Sequence, residues 1–345
     1  MRLSVLDQST VVTGRSPAAS IQESLHLARH AEALGYSRYW VAEHHNSASQ
    51  AGTAPEVLIA AIAATTRSIR VGSAGVMLPH YSSLKVAEQF RVLEAIAPGR
   101  IDMGLGRAPG SDGLTAYALN PAADTASDHF PSQVRDLLHW LRGERLVEGH
   151  PFRMIQAQPA GPTMPQPWIL GSSDYGAQVA AFFGLPFCFA SFITDGNGAE
   201  QALDIYRQGF RPSVWSEAPE VAVCIWAMAA ETEAEVERHF ASRALWRLGR
   251  DRGVFEPLPS PEEAAAYAYT DVERSRVAAI RARAYAGTAP VVMEQIKALA
   301  GSLGVEEVVI LTTLHDPAVR RRSYTLLAEA AGLPKHGAAA PLAAE

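Results

Sequence analysis

The sequence predicts a (β/α)8 TIM barrel with long inserted loops at its C-terminal face. Three observations predict it. Eight apolar runs alternate with helical patterns along 345 residues. The runs are nearly continuous, as in parallel strands covered by helices. The polar residues able to do chemistry stand at the ends of those runs, and in such a barrel these ends meet on one face.

Taken in order, the first run, 3–8, leads to a helix over 16–34 that is closed by Gly35. The second, 39–44, ends in Glu43-His44-His45 and precedes an Ala/Ile-rich helix at 54–66. The third, 69–78, carries Gly72-Ser-Ala-Gly75 in mid-strand. Small residues there mark a bulge, or the close approach of a flat ligand. Its helix, 84–96, is stopped by Ala97-Pro98-Gly99. The fourth, 101–106, ends on Arg107 and passes through a long connection, 108–130, to a helix at 131–141. Residues 144–158 have room for a short hairpin. The fifth run, 167–172, opens through Ser172-Ser173 onto a helix at 176–183. The sixth, 186–192, precedes a helix at 199–206. The seventh, 221–229, precedes a helix at 233–248, which Thr232-Glu-Ala-Glu235 opens as a capping box. Residues 249–289 form a candidate lid insertion with a helical piece near 261–284; a helix at 291–303, a strand at 307–312 and a helix at 318–331 follow. Residues 1–336 read as one domain and 337–345 as a disordered tail.

The bulk numbers narrow the function. An apolar fraction of 48% supports a large core, and the net charge is −6. No basic stripe points to nucleic acid. No run reaches the ~20 apolar residues of a membrane span. Met1-Arg-Leu-Ser-Val-Leu-Asp7 meets an acid too early for a signal peptide, so the expected compartment is the cytoplasm. Cys188 and Cys224 lie inside apolar runs and read as small buried hydrophobes. No metal is expected: Asp7-Gln8 closes strand one, where a His-x-His pair would stand in a metal-dependent barrel.

The candidate chemistry lies mostly at strand ends. Glu43-His44-His45 pairs a carboxylate with imidazoles that titrate near neutrality, although a polar strand terminus with surface histidines would look the same. Arg107, in a Gly-rich stretch, offers a fork for phosphate or carboxylate. Ser172 and Ser173 open a helix, either as an anion site or as simple caps. Asp7, His80, Tyr81 and Trp226 are the candidate substrate pocket; the other tryptophans read as core.

Together these segments resemble the luciferase-like flavin monooxygenases, the family that includes bacterial luciferase. The carriers are Tyr39-Trp-Val-Ala-Glu-His-His-Asn46, Gly72-Ser-Ala-Gly-Val-Met-Leu-Pro79, Ala87-Glu-Gln-Phe-Arg-Val-Leu-Glu94 and Pro98-Gly-Arg-Ile-Asp-Met-Gly-Leu-Gly-Arg-Ala-Pro-Gly110. Gly171-Ser-Ser-Asp-Tyr-Gly176 and Phe183-Gly-Leu-Pro186 complete them, in the family's order. Gly106 stands where luciferase has a reactive cysteine, which places the chain in the non-luminescent subgroup.

The resemblance implies reduced FMN as a co-substrate, supplied by a separate flavin reductase, with O2 as oxidant. A C4a-hydroperoxyflavin would then hydroxylate, epoxidise or Baeyer–Villiger-oxidise an apolar organic molecule, as in a tailoring step of secondary metabolism. It implies His44 as acid/base and Glu43 against the flavin ring system. It also implies Ser73 and Ala74 at a non-proline cis peptide beside the flavin, and Arg107, Ser172, Ser173 and Gly176 around its phosphate. A homodimer through the helices after strands two and three is expected. The alternatives are a deazaflavin (F420)-dependent dehydrogenase on the same fold and a non-catalytic flavin-binding protein.

Overall fold

A computed structural model describes residues 1–334, so the expected tail at 337–345 lies outside the described residues. In chain order the elements are β1 (Arg2–Asp7), α1 (Pro17–Ala33), β2 (Arg38–Val41), α2 (Pro55–Thr65), β3 (Arg70–Met77), α3 (Ser83–Ile96), β4 (Ile101–Gly106), α4 (Gly113–Leu119), α5 (Ala123–Ala126), α6 (Phe130–Arg142), β5 (Gln166–Gly171), α7 (Asp174–Phe183), β6 (Phe187–Ala190), α8 (Ser191–Thr194), α9 (Ala199–Gly209), β7 (Val221–Ala230), α10 (Glu233–Asp251), α11 (Pro261–Ala266), α12 (Asp271–Ala282), β8 (Tyr285–Thr288), α13 (Ala289–Leu303), β9 (Glu307–Leu311) and α14 (Pro317–Ala331). The strand order is β6-β5-β4-β3-β2-β1-β9-β7-β8, with β6 also paired to β7, which is the (β/α)8 barrel predicted from the sequence.

The chain divides into two compact units, one of Trp40–Asn46 with Thr53–Ala222 and one of Met1–Tyr39, Ser47–Gly52 and the chain from Val223 on. In the first, β3 to β6 pair in parallel, with Val71 beside Ile101, Asp102 beside Gln166 and Ile169 beside Phe187. A buried carboxylate pins these strands: Asp102 accepts from Trp40 Nε1 (2.9 Å) and from Arg70 Nε and Nη2 (2.9 and 2.6 Å). The register shifts between Ser73 and Val76. There Ser73 Oγ donates to the Gly104 carbonyl (2.9 Å), and a Cβ on Gly104 would lie 2.2 Å from the Ser73 oxygen. Only glycine fits that approach.

In the second unit, β1 pairs with β9 and every residue of β7 is buried. Glu307, at the start of β9, is fully buried and accepts from Ser4 Oγ (2.6 Å), Arg38 Nε (2.9 Å) and Arg2 Nε (3.1 Å). The capping box expected at Thr232 and Glu235 opens α10.

Two expectations are corrected. The candidate lid insertion contains a ninth strand: β8 pairs in parallel with the end of β7, Ala227 beside Tyr285 through Ala230 beside Thr288. Its four residues, Tyr-Ala-Gly-Thr, carry no hydrophobic period, so nothing local announces them. The hairpin expected over 144–158 is instead a series of turns. Its Ile155 carbonyl accepts from Trp140 Nε1 (3.1 Å), and the Pro159 carbonyl just beyond it from Arg91 Nη1 (3.2 Å), side-chain partners in place of a ladder.

Candidate active site

The chain leaves β2 at Val41 and runs without regular secondary structure through Glu43-His44-His45. Glu43 is buried, with 1% exposure, and so needs its charge answered by donors. Three reach it. The Met77 amide donates to Oε2 (3.0 Å), and the Tyr81 hydroxyl (2.6 Å) and His45 Nε2 (2.7 Å) both meet Oε1. With the Met77 amide on one oxygen and the Tyr81 hydroxyl on the other, the carboxylate is an acceptor at both. Against an ionised Glu43, His45 Nε2 is the donor. Tyr81 Oη and His45 Nε2 are 3.3 Å apart. Burial, and then the bond to Glu43, push the Tyr81 phenol well above its ordinary value, so it stays a donor. His44, between the two paired residues, is half-buried.

The segment after Arg107 closes over this cluster. The Gly110 carbonyl accepts from the His45 amide (3.3 Å), and the Pro109 carbonyl meets His80 Nε2 (2.8 Å). Asn46 Nδ2 donates to Asp112 (3.0 Å), the residue that caps α4, and Asn120, just after α4, donates to the Pro79 carbonyl (2.8 Å). Gly110 has φ +57°, and a Cβ there would strike Met77. The His80 ring stands edge-on to those of His45 and Tyr81, 6.2 Å from each.

Arg107 itself is exposed, and its guanidinium lies 4.0 Å from the centroid of the Tyr175 ring. Tyr175 is in the first turn of α7, where Ser173 takes the N-cap place without its side chain accepting from that turn. The first-turn N–H groups have no intrahelical acceptor. Gly176 packs closely on β5: its Cβ would lie 3.5 Å from the Gly171 Cα and 3.4 Å from the Phe187 ring. Guanidinium, hydroxyls and open amides form a donor set suited to a phosphate monoester. In β3, Ala74 and Gly75 are half-exposed at the bulge, between buried neighbours. The non-proline cis bond falls between Ala74 and Gly75, one residue beyond the expected Ser73-Ala74. The glycine's lack of a side chain answers for the difference, since a Cβ on Gly75 would stand 2.8 Å from the Gly104 carbonyl oxygen.

Asp7 and Trp226 belong to the other unit, and both are committed to its interior. Asp7 accepts from the Ser9 amide (3.0 Å), Tyr39 (2.7 Å) and Arg320 (2.8 Å). Burial opposes its ionisation, but Arg320 and the hydrogen bonds outweigh it and hold the carboxyl below its usual range. This corrects the expectation of a carboxylate available to substrate. Trp226 is buried and donates to Thr313 Oγ1 (2.8 Å), with Arg243 stacked 3.8 Å from its ring. Sequence reasoning gave His45, Tyr175 and Gly110 no role. No local signal singled out the first: the chain leaves β2 at Val41, so strand alternation does not decide which histidine meets Glu43.

Among the described residues no group of three or more His, Cys, Asp or Glu could hold a metal ion, and no helix is long and apolar enough to cross a membrane. A family model described as luciferase-like monooxygenase matches residues 1–307. An uncharacterised Bacillus subtilis protein, YwcH, is 43% identical over 329 residues, covering 95% of this chain and 98% of that one. The N-acetyl-S-alkylcysteine monooxygenase of Bacillus subtilis is 38% identical over 332 residues, covering 96% and 98%. The crystal structure of apo-MsnO8 superposes with a TM-score of 0.88 at 38% identity, covering 97% of this chain and 99% of that one.

Proposed function

We propose a function from one premise: this chain belongs to the luciferase-like monooxygenase family and is an oxidoreductase. It is the oxygenating component of a two-component flavin monooxygenase. A separate reductase supplies reduced FMN, and O2 is the oxidant. One oxygen atom enters an apolar organic substrate by hydroxylation, epoxidation or Baeyer–Villiger oxidation, and the other leaves as water. The observation that carries this reading is a juxtaposition within one unit. An anion-ready arginine, Arg107, stands three positions before Gly110, whose carbonyl accepts from the backbone amide of His45, the residue whose imidazole meets the Glu43 carboxylate.

Reduced FMN, when bound, supplies the two electrons that activate O2. Arg107, Ser172, Ser173 and the first-turn amides up to Gly176 bind its phosphate. The backbone of Ser73 and Ala74 receives its ring. Glu43 orients His45, and His44 moves a proton at its ring nitrogen. The segment from Pro109 to Asn120 keeps water from this cluster, and exclusion of water protects an oxygenating site from wasteful release of peroxide. The rings of His80 and Tyr81 flank the substrate. The protein acts in the cytoplasm as a homodimer. A second copy covers the α2–α3 face, where Val57, Val92 and Ile96 are 64%, 48% and 49% exposed. Sedimentation at a single monomer mass would remove the dimer.

Anaerobic titration with reduced FMN and with reduced F420 tests the cofactor. FMN is expected to bind at least about tenfold more tightly, or ~1.4 kcal/mol. The opposite preference would make the protein a deazaflavin-dependent dehydrogenase.

A further inference from the structure

Arg107 is placed unusually for an exposed arginine. Among the described residues no carboxylate lies within ion-pair distance of it, and its guanidinium stacks on Tyr175 instead. Elsewhere in the same unit an arginine spends its edge on an acid, as Arg70 does on Asp102. Stacking uses the face of the guanidinium and leaves its edge, with the five N–H donors, available in the plane. A stacked arginine is thus held in place and still free to donate.

Tyr175 is itself out of character with its position. The first turn of a helix favours acidic and small polar residues, and a bulky aromatic there has no capping role. Its ring is only half-buried, so the core does not account for it. The acidic residue that the position does prefer, Asp174, is engaged by Gln201 Nε2 (2.5 Å).

We infer that Tyr175 is a positioning residue for the flavin phosphate: its ring holds the Arg107 guanidinium by the face and leaves the edge to grip the phosphate at the start of α7. The inference rests on the phosphate reading of the proposed function. An aromatic platform removes alternative positions of a long, flexible side chain before the ligand arrives, so less order is lost on binding.

The test compares FMN with riboflavin, which lacks only the phosphate, by fluorescence titration of the full chain. The wild type is expected to prefer FMN by at least about tenfold. Tyr175→Leu is expected to lower that preference about three- to fivefold, by weakening FMN and not riboflavin. Tyr175→Phe keeps the ring and is expected to keep the preference. In an Arg107→Ala background, Tyr175→Leu is expected to change nothing further. An unchanged preference in Tyr175→Leu, equal weakening of both ligands, or a loss in Tyr175→Phe as large as in Tyr175→Leu, each overturns the positioning role. A wild type that does not distinguish FMN from riboflavin overturns the phosphate reading itself, and the role of Tyr175 with it.

Discussion

At the scale of single residues, the site depends on how one buried carboxylate is shared. Glu43 Oε1 serves Tyr81 and His45 at once, and Oε2 serves the backbone of β3. Tyr81→Phe removes one of three donors from a charge that water hardly reaches. We expect a loss of about 1–2 kcal/mol in urea unfolding, with flavin affinity changed less than about threefold. A loss under about 0.5 kcal/mol would mean that the shared oxygen is not strained for donors. Much of this site was legible in the chain: the Glu-His-His triplet, Arg107 and the paired serines are all motif residues at strand ends. Their partners were not. Which histidine meets Glu43 depends on backbone direction beyond the strand, and Tyr81 reaches it from 38 positions away. Asp7 shows the converse. Its place at a strand end resembles a site residue, and only three-dimensional packing sets Arg320 upon it.

At the scale of elements, continuous apolar runs and Gly or Pro stops located eight strands and the long helices, because each such element has its own period and punctuation. β8 has neither, and its existence depends on pairing with the end of β7. The insertion that contains it is docked differently from the rest. α12 buries only Glu273 and Ile280. Its ties to α10 and the residue after it are polar: Arg276 to Asp251 (2.8 Å), Arg281 to Glu237 (2.8 Å) and Arg252 to Glu273. Partly exposed ion pairs contribute little individually and are screened by salt. Backbone amides of α12 are therefore expected to exchange with deuterium at least about tenfold faster than those in the middle of α10, and faster still at about 1 M salt. Equal protection in the two helices would show that α12 is part of the core and not a lid.

For the molecule as a whole, two opposed demands meet: a barrel rigid enough to aim donors, and a buried interior that must hold charges. The Asp7–Arg320 pair answers the second, with both partners almost fully buried. Asp7→Asn leaves Arg320 unanswered and is expected to cost about 3–5 kcal/mol in chemical unfolding. Because the folded Asp7 carboxyl lies below its unfolded value, its stabilising share is complete above about pH 4 and is lost as pH falls through the folded value. The wild type should therefore lose stability more steeply than Asp7→Asn as pH falls below that point, and parallel pH profiles would refute the linkage. The central claim concerns oxygen, and stopped-flow absorbance addresses it most directly: the protein, loaded anaerobically with reduced FMN, is mixed with O2. The expected result is reoxidation at least about tenfold slower than for free flavin, through a species spectrally distinct from both reduced and oxidised FMN, with His44→Ala binding the flavin but losing oxygen transfer to substrate by about a hundredfold or more. Reoxidation as fast as without protein, with no distinct species, would contradict it.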